Sequence, residues 1–150
     1  MTSPAEYGPA FRAAYAILHG GRAEEPADTV GRGRDESVEE FLARSRSEAL
    51  EGLRGALEAA RPPQALASAH GLLLRLLACA VEADTALAAQ MEAYRCGNFQ
   101  GSIDHSDRLH AVIAESARLD RDLILALREA EAAAPGTLEA LGIADIPAPE

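Results

Sequence analysis

LASAHGLLLRLLACAVEADTALAAQMEAYRCGN, residues Leu66 to Asn98, decides how this chain folds. Leu66, His70, Leu73, Leu77, Ala80, Asp84, Leu87, Met91 and Tyr94 form a ladder with alternating steps of four and three. That rhythm is the seam of one long helix, with two polar rungs, His70 and Asp84. Gly97 is the residue a helix uses to stop in the left-handed conformation, and Asn98 is a good N-cap for the next. Past that break a second ladder takes up the same rhythm, through Ser102, His105, Leu109, Val112, Ser116, Leu119, Leu123, Ala126 and Ala130. The pair predicts two long helices, about Gln64–Cys96 and Phe99–Ala133, folded back on each other. Folding about Gly97 would bring Asp84 near Val112, His70 near Ala126 and His105 near Met91.

Upstream, Ser37 and Glu40 make a capping box, which predicts a helix from there to about Ala60. Its inner face carries Val38, Phe41, Leu42, Leu50, Leu53 and Leu57, and Pro62-Pro63 end it. A short helix from Ala10 to Leu18 is expected after Gly8-Pro9. Residues 20–34, rich in glycine, proline and charge, read as a flexible loop, and 143–150 as a loose tail after a last turn at Thr137–Leu141. The expected fold is all-α: an antiparallel, four-helix-bundle-like domain of three long helices and a short N-terminal one. If that helix is too short to cover the groove, a second copy covers it, so a homodimer is expected.

Composition narrows the function classes. The net charge of −10 opposes binding to nucleic acid or to anionic membranes. No apolar run approaches the roughly 20 residues that span a bilayer, and Met1-Thr-Ser-Pro lacks a signal peptide's basic start, so the expected location is cytoplasmic. All 14 basic residues are arginine, a bias expected of a GC-rich genome, and without lysine there is no Schiff-base chemistry. Cys79 and Cys96 lie about 25 Å apart along one predicted helix, too far for a disulfide within it. No phosphate loop, no Cys-x-x-Cys and no nucleophile with its base is present, so catalysis and a cofactor are not expected.

The remaining chemistry lies in a few polar positions. A carboxylate on an apolar seam is costly unless paired, and the turn at Pro62-Pro63 brings Asp84 within a helical turn of Arg44 and Ser45. Asp84 with Ser116, Ser45 or Arg44 is therefore a candidate ligand-binding layer, and His70 is a further candidate. In Asp104-His105-Ser106-Asp107-Arg108-Leu109-His110, Asp107 and His110 share a face and are candidate metal ligands. The plainer reading there is a solvated face with Asp104 paired to Arg108.

Pro62-Pro63, His70, Leu73-Leu74 and Gly97-Asn98 together resemble a pattern of uncharacterised bacterial helical-bundle proteins, over the second to fourth helices. Such proteins are often exported lipoproteins, and this chain has no lipobox cysteine. The resemblance implies a fold and no activity. The expected function is a non-catalytic helical interaction or scaffold module. The alternative is a small-ligand or divalent-cation binding bundle, with its site at the Asp84 layer or the Asp107/His110 face.

Overall fold

The computed structural model describes residues 4–19 and 38–143. The expected loop at 20–34, Ser37 of the capping box and residues 144–150 lie outside that range. Among the described residues the chain is entirely helical: α1 (Pro4–Leu18), α2 (Val38–Ala59), a 3-10 turn (Gln64–Leu66), α3 (Ala67–Arg95), α4 (Phe99–Ala133) and α5 (Thr137–Leu141). No described helix is long and apolar enough to cross a membrane.

The two longest helices, of 29 and 35 residues, pack along each other. Their directions are opposed, since Arg75 meets Glu115 at 3.3 Å while the later Glu82 meets the earlier Arg108 at 2.7 Å. The hairpin turn follows the chemistry read from Gly97-Asn98. Gly97 takes φ +74°, its N–H donates to Tyr94 O, and the Asn98 N–H reaches back to Ala93 O at 2.8 Å. That pair of bonds satisfies the last carbonyls of α3. Asn98 then accepts the Gly101 N–H at 3.0 Å through its side chain, so one residue closes one helix and opens the next.

The core gathers at the end of the hairpin away from this turn. Leu66, Leu73 and Leu77 of the third segment meet Leu119, Leu123 and Leu127 of α4, and Leu50 and Leu57 of α2 join them, all buried. α1 adds Tyr7 and Phe11, and α5 adds Leu141. α1 packs against α2, α3 and α5, while α2 makes no close backbone approach to α4 among the described residues.

Two boundaries differ from the sequence reading. α1 begins at Pro4, six residues before the expected start at Ala10, and carries Pro9 inside it. Proline disfavours this by removing an N–H and crowding the residue before it, but that residue is glycine, which has no Cβ to crowd. Burial of Tyr7 to 1% exposure, against Phe11, rewards the extra turns. At the other end Ile143 belongs to the core and not to a loose tail. Gly142 at φ +75° turns the chain so that the Ile143 N–H bonds Leu138 O, which folds the isoleucine onto α5.

Glu131 of α4 anchors α5 by accepting the N–H groups of Gly136 and Leu138, both at 2.9 Å. These bonds hold its carboxyl below the usual range. α5 in turn packs closely on α1: a Cβ at Gly8 would lie 3.0 Å from the backbone oxygen of Ala140. Gly8→Ala is therefore expected to lower the melting temperature, although alanine favours a helix interior by roughly 0.5–1 kcal/mol. Gly71→Ala, in open space on α3, is expected to raise stability by about that amount. Paired thermal melts check this, and stabilisation by both substitutions would contradict the close α1–α5 packing.

Candidate functional site

Two of the polar rungs of the α3 ladder point at neighbours other than α4. His70 accepts a hydrogen bond at Nδ1 from the Tyr7 hydroxyl of α1, at 2.5 Å. Asp84 has Oδ2 3.5 Å from Nε of Arg46 in α2. The Arg75–Glu115 and Glu82–Arg108 pairs set Asp84 level with Ser106 and His70 level with Asp120, about six residues along α4 from the expected Val112 and Ala126. The ladder therefore serves more than one neighbour: its polar rungs reach α1 and α2, while Leu66, Leu73 and Leu77 lie in the cluster shared with α4.

The Tyr7–His70 pair is a neutral clasp. Burial pushes the Tyr7 hydroxyl above its usual range, so it stays a donor, and burial also lowers His70, which favours the uncharged ring. With Nδ1 accepting, the ring proton sits on Nε2. His70 is therefore engaged in joining α1 to α3.

Asp84 is held less well. Its side chain is 18% exposed, Oδ2 is buried with no hydrogen bond among the described residues, and Arg46 at 3.5 Å supplies charge and no good hydrogen bond. Burial raises the carboxyl, and the Arg46 guanidinium partly opposes this. Arg44 and Ser45, the partners expected from sequence, stand on α2, but their side chains lie outside the described residues.

Beside this pair lies an open cleft of about 320 Å³. Arg46, Ser116, His19 and Asp120 supply its polar lining, and Leu18 and Leu76 are among its apolar walls. Ser116 lines this cleft, but the Arg75–Glu115 pair sets it level with Leu74 and not with Asp84, which meets the cleft only through Arg46. Sequence reading missed His19 and Asp120. His19 stacks on Tyr15 with ring centroids 4.1 Å apart, donates from Nδ1 to Tyr15 O, and meets Asp120 Oδ1 through Nε2 at 2.5 Å. The one sequence signal was the Tyr15/His19 spacing of four. The partnership with Asp120, 101 residues away, has no local signature.

Asp107 and His110 are both exposed on α4, and no group of three or more His, Cys, Asp or Glu placed to hold a metal ion occurs among the described residues. Asp104 does not pair with Arg108. Arg108 reaches Glu82 instead, and Asp104 accepts from Gln100. Both cysteines are free thiols.

The last three rungs, Leu87, Met91 and Tyr94, are 45%, 47% and 68% exposed. Tyr94 meets Phe99 edge-on across the turn at 5.8 Å, and Phe99 and Ile103, one turn apart on α4, are exposed too. They form an apolar strip over the tip of the hairpin.

The Tyr7–His70 clasp sets a pH signature. Because the folded value of His70 is lowered, the fold resists its protonation. Stability from this group is constant above about 6.5, falls as pH drops below that, and levels off beneath the folded value. The stability advantage of wild type over His70→Leu is expected to shrink between neutral pH and mildly acidic pH in denaturant titrations. A constant difference would show that His70 carries no such penalty. Tyr7→Phe is expected to cost about 1 kcal/mol at neutral pH.

No known protein family, curated protein or solved structure matches this chain.

Proposed function

We propose that this protein is a non-catalytic helical interaction module, built on a four-helix-bundle-like antiparallel scaffold, whose contact surface is the tip of the α3–α4 hairpin. The carrying observation is the strip of Leu87, Met91, Tyr94, Phe99 and Ile103, large apolar side chains left 45–68% exposed in one neighbourhood. Scattered exposed leucines need no explanation, whereas large apolar side chains exposed together favour a contact surface. The tip lies beyond the leucine core, so it is free to serve a partner without holding the fold together.

A melt separates a contact surface from core. Leu87→Ser with Met91→Ser is expected to change stability by less than about 0.5 kcal/mol per site. Leu73→Ala, in the buried cluster, is expected to cost about 2–5 kcal/mol. A comparable loss from the tip pair would place those residues in the core and end this reading.

A second reading, a small-ligand site, is favoured by the cleft beside Arg46, His19, Ser116 and Asp120. Asp84 contributes to it as a buried carboxylate retained despite its cost. Burial penalises the ionised carboxylate in the folded chain and not in the unfolded one. Asp84→Ala is therefore expected to raise stability, by on the order of 1 kcal/mol, since half-exposed Arg46 rehydrates when its partner goes. A loss of about 3 kcal/mol would instead make Asp84 a structural pair. Melts with Mg²⁺, Mn²⁺, Zn²⁺ or EDTA test the cation form of this reading, which requires a shift with metal.

A further inference from the structure

We infer that mild acid opens α1 from its N-terminal end while its C-terminal end stays moored, so that this helix is a one-ended, pH-sensitive strap across α3. Two histidines of different kinds fasten it. Near its start the Tyr7 hydroxyl donates to Nδ1 of His70 on α3. Just past its end His19 meets Asp120 of α4. Between these points the buried Phe11 and Ala14 supply apolar contact, and among the described residues α1 makes no close backbone approach to α4.

A proton acts on the two fastenings differently. When Nδ1 of His70 takes one, the ring becomes a donor there and the Tyr7 hydroxyl has to turn and accept. The hydroxyl proton then loses its acceptor in a place where Tyr7 is 1% exposed. The new charge is also unanswered. Tyr7 faces His70 from α1, by hydrogen bond and by ring contact at 5.6 Å, and among the described residues no carboxylate of α2, α4 or α5 lies within ion-pairing distance of the ring. Burial alone already favours its neutral form. At His19 the facing groups are Asp120 of α4 and, across the cleft, Arg46 of α2. A charged ring there keeps a carboxylate oxygen 2.5 Å away, so acid makes this contact an ion pair and does not remove it.

α5 does not follow α1. It packs on α1 at Gly8, but Glu131 ties it to α4, and the N–H groups of Gly136 and Leu138 keep that carboxyl ionised in mild acid. Opening therefore parts α1 from α3 and α5 around Tyr7 and Gly8, a local step smaller than unfolding of the hairpin.

The test is amide hydrogen exchange of the full chain, followed residue by residue by NMR and corrected for the intrinsic effect of pH. Between pH 7.5 and 5.5, protection at Ala10, Phe11 and Arg12 is expected to fall at least about threefold, and at most about tenfold per pH unit below the ordinary histidine value of about 6.5. Ile17, Leu18 and His19 should keep their protection, as should α3 and α4. His70→Gln, whose amide oxygen can accept from Tyr7 without titrating, should hold α1 protection level over this range. His19→Gln should let the loss spread to Ile17 and Leu18. Circular dichroism confirms that each variant is folded. Titration of the His70 ring by its own proton shifts needs no substitution: α1 protection must fall until the ring titrates and level off beneath that point.

Level protection in the unaltered chain would overturn the strap. A loss that persists in His70→Gln, or that continues below the titration of the ring, would assign the effect to another group and overturn it as well. Equal loss at both ends of α1, or across α3 and α4, would show that the helix or the whole fold opens at once, which ends the one-ended opening.

Discussion

The leucine cluster at one end of the α3–α4 hairpin is the constraint on which the other helices depend. Leu66, Leu73 and Leu77 face more than one neighbour, because α3 packs against α1, α2 and α4 and is the only described helix to touch all three. Removing apolar area from water is worth about 25 cal/mol per Å², so the helices collect where large aliphatic side chains are dense. Toward the hairpin turn, α3 changes composition. Ala83, Ala86, Ala88, Ala89 and Ala93 replace the leucines, and small side chains let α4 pack closely.

The polar groups sort along the same axis. Near the core they are matched: the Tyr7 hydroxyl has the His70 nitrogen, and the N–H groups at the start of α5 have Glu131. At mid-height the matching loosens, with Asp84 and Arg46 at 3.5 Å beside an open cleft. At the tip, carboxylates and apolar rings are exposed together. A buried polar group without a partner costs free energy, so satisfaction follows burial and leaves the looser chemistry where water can reach it.

The hairpin, its glycine turn and the helical class were legible because their signals are local. Gly97 has to adopt a positive φ, Asn98 has to cap, and a period between three and four residues has to be helix. What the ladder faced was not legible. Leu66 through Tyr94 has one continuous rhythm, yet His70 meets α1, Asp84 meets α2 and Tyr94 lies exposed, because periodicity fixes a face and says nothing about which neighbour stands there. The early start of α1 escaped for a related reason. Gly8-Pro9 is a stop by propensity, and only the fit of Tyr7 against Phe11 and His70 overrides it. The Arg46–Asp84 and His19–Asp120 contacts depend on tertiary packing that no short motif records.

The Tyr7–His70 and His19–Asp120 contacts have one more consequence, in the statistics of the chain. They close loops of 63 and 101 residues, whereas α3 and α4 are joined by a turn of a few residues. The entropy of loop closure rises with the logarithm of loop length, so α1 bears a larger ordering cost than either helix of the hairpin. A clasp of one phenol and one imidazole, made inside a ring of aromatic contacts, is what meets that cost. The N-terminal helix is thus held by long-range chemistry alone, and the hairpin by chemistry within reach of its own turn.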